Sequence, residues 1–272
     1  MAAGLARLLL LLSFPVGIFT SIARFCLAPL RYLGARPAAS TIGMRIEHAR
    51  ACLQRADAVC FDVDSTVITS EGIDELAEFL GCGEKVVALT AQAMGGSMPF
   101  HEALALRLSA MQPTQQQLAE MLERQPLQLT PGVADLIGAL HRRSRHVYLV
   151  SGGFRQMIEP IAAQVGVPRE RIYANTLLFG ADGSFEGHLD SEPTSRAGGK
   201  AKVVASLRAQ HGYTTVVMIG DGATDMEARD VPGGADAFIG FGGVVARDKV
   251  RAGADWFVTE FADCIAALEE RV

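Results

Sequence analysis

The chain has 272 residues, 49% of them hydrophobic and 20% charged, the balance of a globular protein with a sizeable core rather than of a disordered one. Its formal charge of −5 comes with no basic block in the body of the chain, which argues against a nucleic-acid surface. The five cysteines form no CxxC pair and no cysteine–histidine cluster at zinc spacing, so they read as free thiols of a reducing compartment.

The N-terminus stands apart. No Asp or Glu precedes Glu47, whereas Arg7, Arg24, Arg31, Arg36 and Arg45 do. The apolar run Leu8 to Ala23 is interrupted by Pro15 and Gly17. It falls short of the roughly 20 residues of a spanning helix and overruns the about 7–15 of a signal-peptide core. Residues 1–45 are therefore expected to be a targeting segment for a plastid or mitochondrion. A membrane anchor and a misplaced start, which would leave the protein membrane-attached or cytoplasmic, are the alternatives. Membrane contact is expected only if the segment is retained.

Ile46 to Arg55 reads as a short helix leading into a buried strand, Ala58 to Phe61, which ends in Asp62-Val63-Asp64. Side chains at i and i+2 of extended chain leave on one side, so both carboxylates can face one volume beyond the strand end, where ligands of open α/β sheets bind. Like charges held that close need a positive partner. From Ile68 to about Gln128 the pattern is helical. Ile73, Leu76, Ala77 and Leu80 mark one apolar face; Leu104, Leu108 and Met111 a second; Leu118, Met121 and Leu122 a third. Thr114 and Gln117 have capping-box spacing. A structureless loop of that length is improbable, so residues 70–129 are expected to be a small helical domain inserted into a core made of residues 46–69 and 130–272.

After the insert, β/α alternation resumes. Thr130-Pro131-Gly132 reads as an N-cap with proline at the first helical position, opening a helix through Leu140. His146 to Val150 is a strand ending in Ser151-Gly152-Gly153. The helix from Phe154 should be kinked or split by Pro160. Arg171 to Leu189 reads as a hairpin around Asp182-Gly183. Gly198-Gly199-Lys200 opens a helix to Gln210, and Val216 to Ile219 is a strand ending in Gly220-Asp221-Gly222. Ala237 to Ile239 and Trp256 to Val258 complete a doubly wound parallel sheet, an α/β fold.

The strand ends carry a consistent chemistry. Three carboxylates without histidine suit a hard cation with oxygen ligands, for which Mg²⁺ is the natural candidate. A lysine and a serine beside glycines suit phosphate oxygens. Phosphoryl transfer is mostly positioning and charge neutralisation. One carboxylate can attack phosphorus while the other moves the proton. Each motif alone is an ordinary turn or helix start; their joint occurrence, in order and at strand ends, carries the reading.

These motifs resemble those of the haloacid dehalogenase superfamily. The runs Phe61 to Ile68, Ala93 to Gly96, Leu149 to Arg155 and Met218 to Ala228 are most similar to its phosphoserine-hydrolysing branch. The resemblance extends from about Ala56 to about Leu268. It implies a Rossmann-like core with a helical-bundle cap, and Mg²⁺-dependent hydrolysis of O-phospho-L-serine, the last step of the phosphorylated route to serine. Another small phosphomonoester is the alternative substrate. The resemblance makes Asp62 the nucleophile, carried through an aspartyl phosphate, and Asp64 the acid and then the base. It assigns the metal to Asp62, Asp221 and the backbone carbonyl of Asp64. Ser151, Gly152, Gly153 and Lys200 would hold the phosphate, with Thr224 nearby and Asp225 orienting Lys200 or a water on the metal. Glu71 would receive the substrate ammonium and Arg107 its carboxylate, while Met94, Gly95 and Phe100 close over them. A homodimer is left open. A membrane-anchored domain with a regulatory or scaffolding role and a vestigial site is the reading from another class; against it, every catalytic position is filled.

Overall fold

The computed structural model describes residues 39–92 and 98–270. Helix α1 (Ala39–Arg55) begins before the expected Ile46, and its Arg45 is tied to the Gly253 and Ala254 carbonyls and to Asp255. Strand β1 (Ala58–Phe61) follows, and then α2 (Gly72–Phe79), α3 (Gly83–Gln92), α4 (Phe100–Met111) and α5 (Gln115–Arg124). The chain returns through α6 (Val133–Arg142), β2 (His146–Phe154), α7 (Arg155–Gln164), β3 (Ile172–Asn175), β4 (Leu177–Phe179) and β5 (Phe185–His188). Helix α8 (Gly199–His211), β6 (Val216–Gly220), α9 (Ala223–Glu227), β7 (Ala237–Phe241), α10 (Asp248–Gly253), β8 (Trp256–Val258) and α11 (Phe261–Glu269) close it. No helix among the described residues is long and apolar enough to cross a membrane.

The main sheet runs β3-β2-β1-β6-β7-β8, and every neighbouring pair in it is parallel. All four residues of β1 are fully buried. Val59 and Phe61 face a core built with α1, α6, α7 and α11, while Ala58 and Cys60 face the one built with α8 and α10. That two-sided burial is why the strand reads as a continuous apolar run rather than an alternating one. Because the chain leaves β1 towards β2 on one side and is joined by β6 on the other, β1 lies at the switch point of the sheet. The crevice for a ligand therefore opens at its carboxyl end.

Helices α2–α5 leave and rejoin the core at a narrow neck. Ile68 and Leu129 form an antiparallel bridge, flanked by Thr69 N donating to Gln128 O at 3.0 Å and Thr130 N to Val67 O at 2.9 Å. The expected apolar faces pack inward, with Leu76, Leu104, Leu108, Leu118 and Met121 buried. The capping box at Thr114 and Gln117 is formed.

Three local expectations are corrected. Thr130 is not an N-cap: Gly132 takes φ +81°, outside helical space, so α6 begins at Val133 after a turn closed by Val133 N on Thr130 O. Pro160 sits inside a continuous α7, which overturns the split helix of the two alternatives. The segment expected as one hairpin is divided, since Ile172–Asn175 joins the main sheet beside β2 and only β4 and β5 pair around Asp182-Gly183.

At the opposite end of the sheet from the crevice, Asp57 pins β1 to β6. Its carboxylate accepts Thr214 N at 2.7 Å, Thr214 Oγ1 at 2.7 Å and Thr215 N at 2.9 Å. The Thr215 N–H, then the Thr214 hydroxyl, hold its pKa below the ordinary value. A depressed carboxyl stabilises the fold above its unfolded pKa and loses that contribution as pH falls through the folded one. Asp57→Ala is therefore expected to lower stability by about 1–2 kcal/mol at pH 7, with the gap narrowing below about pH 4. Urea titrations of both proteins at pH 7 and pH 3 measure it.

Candidate active site

Immediately after β1 the chain is still tied to β6, with Asp62 N donating to Ile219 O at 2.9 Å. It then coils around the Val63 carbonyl, which receives the N–H groups of Thr66, Val67 and Ile68. Ser65 is forced to φ +52° in this coil, a conformation unfavourable for a non-glycine residue and one that concentrates at functional sites. Its hydroxyl donates to Glu71 Oε1 at 2.8 Å, fixing the acid that opens α2.

Asp62 and Asp64 both line one cavity of about 310 Å³, but in different settings. Asp62 is buried; Oδ1 accepts Val63 N at 2.7 Å and Oδ2 lies 2.7 Å from Lys200 Nζ. Asp64 accepts Gly72 N at 2.8 Å on Oδ1 and the Ser151 hydroxyl at 3.3 Å on Oδ2. Burial first, then the Glu71 and Asp62 carboxylates, push its pKa up to about 7. Gly153 lies against the same carboxyl, where a Cβ would come 2.9 Å from Asp64 Oδ2 and 3.1 Å from Ser151 Oγ.

From the α8 side, Lys200 reaches between Asp62 and Asp225, 2.7 Å from each. Burial alone would lower its pKa, but Asp225 and Asp62 outweigh burial and keep the ammonium charged. Asp225 is wholly buried and also accepts Gly222 N at 2.9 Å. Asp221, at the end of β6, accepts Arg247 Nε at 2.8 Å.

Carboxylate oxygens of Asp62, Asp221 and Asp225 lie within 4.8 Å of one another. An all-oxygen, acidic and buried donor set fits a hard cation, so these three could hold a metal ion. Asp64 is outside that trio; its carboxyl turns to Gly72 and Ser151. Gly152, Gly153, Lys200 and Thr224 line the cavity, and Ser151 is wholly buried behind the glycines. The insert contributes Glu71, Phe100 and Arg107 to the wall, with Phe100 packed against Gly152. Met94 and Gly95 lie outside the described residues.

Arg247, which belongs to none of the sequence motifs, also lines the cavity. It follows β7, contacts Asp221 and lies 3.6 Å from Glu71 Oε1. The signal was present: Gly242-Gly243 ends a buried strand just before it, the same glycine-rich strand end that marks Ser151 and Asp221.

Residues 59–229 match the family described as haloacid dehalogenase-like hydrolase. The chain is 55% identical to the chloroplastic phosphoserine phosphatase of Arabidopsis thaliana, over 78% of this chain and 72% of that one. It is 47% identical to the phosphoserine phosphatase of Bos taurus, over 79% and 94%. A solved structure of a phospho-aspartyl intermediate analogue of phosphoserine phosphatase superposes with a TM-score of 0.64 at 27% identity, covering 75% of this chain and 94% of that one. The chain thus belongs to the haloacid dehalogenase-like hydrolases and, among them, to the phosphoserine phosphatases.

Removing Lys200 leaves buried carboxylates without their cation. Lys200→Met, in chelator, is expected to lose about 3–5 kcal/mol of stability near neutral pH. The deficit should shrink in acid, as protons replace the missing charge; urea unfolding at pH 7.5 and pH 5 reads both.

Proposed function

We propose that the protein is a Mg²⁺-dependent phosphatase that converts O-phospho-L-serine and water into L-serine and phosphate. The observation that carries this reading is the pairing of Asp62, held by Lys200, with an Asp64 pushed up to about 7, in one cavity at the sheet's switch point. Asp62 attacks phosphorus, forming an aspartyl phosphate and breaking the bond to the serine oxygen, which takes its proton from Asp64. The Asp64 carboxylate then accepts a proton from water as that water attacks phosphorus, releasing phosphate and restoring Asp62. A carboxyl that titrates near the working pH suits both steps. Asp62, Asp221 and Asp225 would hold the metal, with the Asp64 backbone carbonyl as the ligand the resemblance adds. When bound, Mg²⁺ supplies positive charge to the transferring group.

The amino-acid end of the substrate meets the insert. Glu71 provides a carboxylate for the ammonium, and Arg107 and Arg247 provide guanidinium groups for the carboxylate, all lining the same cavity. Gly152, Gly153, Ser151 and Lys200 form the phosphate end, with Thr224 beside them. Residues 70–129 then act as the cap over a core of 46–69 and 130–272, excluding water while the acyl phosphate forms. Such a reaction would close the phosphorylated route to serine. We also infer that the N-terminal segment directs the protein to an organelle; its acid-free, arginine-containing composition and the chloroplastic relative support this.

Phosphate release from a panel of phosphorylated amino acids, with Mg²⁺ and with chelator, tests the reaction. Turnover is expected for phosphoserine with Mg²⁺ only, and a panel in which phosphoserine is not preferred would reassign the substrate. Asp62→Asn should reduce turnover to background with the fold intact by circular dichroism. Arg107→Ala is expected to cut kcat/KM for phosphoserine by about 100-fold while sparing p-nitrophenyl phosphate.

A further inference from the structure

Strand β2 carries extra chain where it reaches the site. Leu149 and Val150 pair with Ile172 and Tyr173, yet the next matched pair is Phe154 with Asn175. The intervening Ser151-Gly152-Gly153 bows out of the ladder, as bulged strands do beside active sites. The Gly152 carbonyl is instead received by a side chain: Asn175 Nδ2 donates to it at 2.7 Å. Asn175 closes β3, is wholly buried and accepts the Thr194 hydroxyl on Oδ1 at 3.0 Å. A carbonyl can only accept, so the amide nitrogen must face Gly152.

The consequence runs through one peptide plane. Gly152 C=O and Gly153 N–H belong to the same planar unit and point in opposite directions. With the carbonyl held by Asn175, the Gly153 N–H donates to Ser151 Oγ at 2.9 Å, and that hydroxyl donates to Asp64 Oδ2. At its other end Asn175 holds Thr194, which is buried in the 3-10 turn Pro193–Ser195. That turn packs under the start of α8: a Cβ on Gly199, the residue before Lys200, would land on the Pro193 carbonyl.

We propose that Asn175 is a positioning residue for phosphoryl transfer, locking the Gly152–Gly153 peptide and the turn beneath Lys200 into one frame, so that the phosphate cradle and the Ser151 hydroxyl meet Asp64 in fixed register. The inference rests on the phosphatase reading above. Asn175 is not among the residues lining the cavity; it acts through Gly152, Ser151 and Thr194.

The test measures kcat and KM of Asn175→Asp, Asn175→Ala, Thr194→Val and Thr194→Ser on phosphoserine and on p-nitrophenyl phosphate, with circular dichroism and thermal unfolding alongside. Asn175→Asp keeps the shape and one acceptor but turns an oxygen against the Gly152 carbonyl. Folded Asn175 variants should lose about 10- to 100-fold in kcat on both substrates, with KM for phosphoserine within about threefold, because the lost alignment matters in the transition state. A folded variant that keeps kcat within about threefold of the unmodified protein, or one whose loss lies in KM alone, overturns the proposal. Should both Asn175 variants fail to fold, Thr194→Val decides. A fall of about 3- to 10-fold in kcat, restored by Thr194→Ser, supports the frame, and an unchanged kcat overturns it. Absence of phosphoserine turnover in the unmodified protein would remove the substrate reading instead, and p-nitrophenyl phosphate would still report on Asn175.

Discussion

Four aspartates converge on the carboxyl ends of β1 and β6, and the buried ammonium of Lys200 makes that arrangement tolerable. Two unit charges about 4 Å apart repel by about 4 kcal/mol at the effective dielectric of a protein surface, and the cluster multiplies that cost. Lys200 bridges Asp62 and Asp225, and Arg247 takes Asp221. Among the described residues, Asp64 has hydrogen bonds from Gly72 and Ser151 but no cation in contact. The charge pattern therefore sorts carboxyls that are alike in sequence. Asp62 is held directly against a cation, whereas burial and the neighbouring carboxylates raise the pKa of Asp64.

Delivery of those side chains depends on backbone events that the sheet makes available. The switch point at β1 opens the crevice, the coil after Asp62 places Asp64 and Ser65, and the bulge in β2 brings Gly153 against the Asp64 carboxyl. Helix α2 begins directly beyond the neck, so Glu71 stands within reach of both the core and the insert. Three carboxylates of one cavity, Asp62, Asp64 and Glu71, thus lie within ten residues of chain.

Much of this is legible in the sequence. The β1 run with its two carboxylates, the helical stretch with no strand, and glycine-flanked Ser151, Lys200 and Asp221 follow directly from pattern and composition, because burial on both faces and close approach to a ligand each demand particular residue types. What escaped was tertiary. Arg247 is an ordinary loop arginine until β7 is placed beside β6. Asn175 is an ordinary strand end until the bulge in β2 leaves a carbonyl for it to receive. Thr130 followed capping statistics, but the left-handed Gly132 turned the chain before the helix began. The Ile172–Asn175 strand looked like half of a hairpin because local sequence cannot say which neighbour a strand will choose.

The neck at Ile68 and Leu129 has a consequence for how such a fold changes over time. Departing and returning chain are hydrogen-bonded to each other at the point of exit, so the ends of the insert stay the same distance apart whatever lies between them. Loop closure depends only weakly on the length enclosed. A change in the length of the segment therefore adds little closure cost at the neck. The neck thus joins the helical segment to the strand that carries the aspartates at one fixed point.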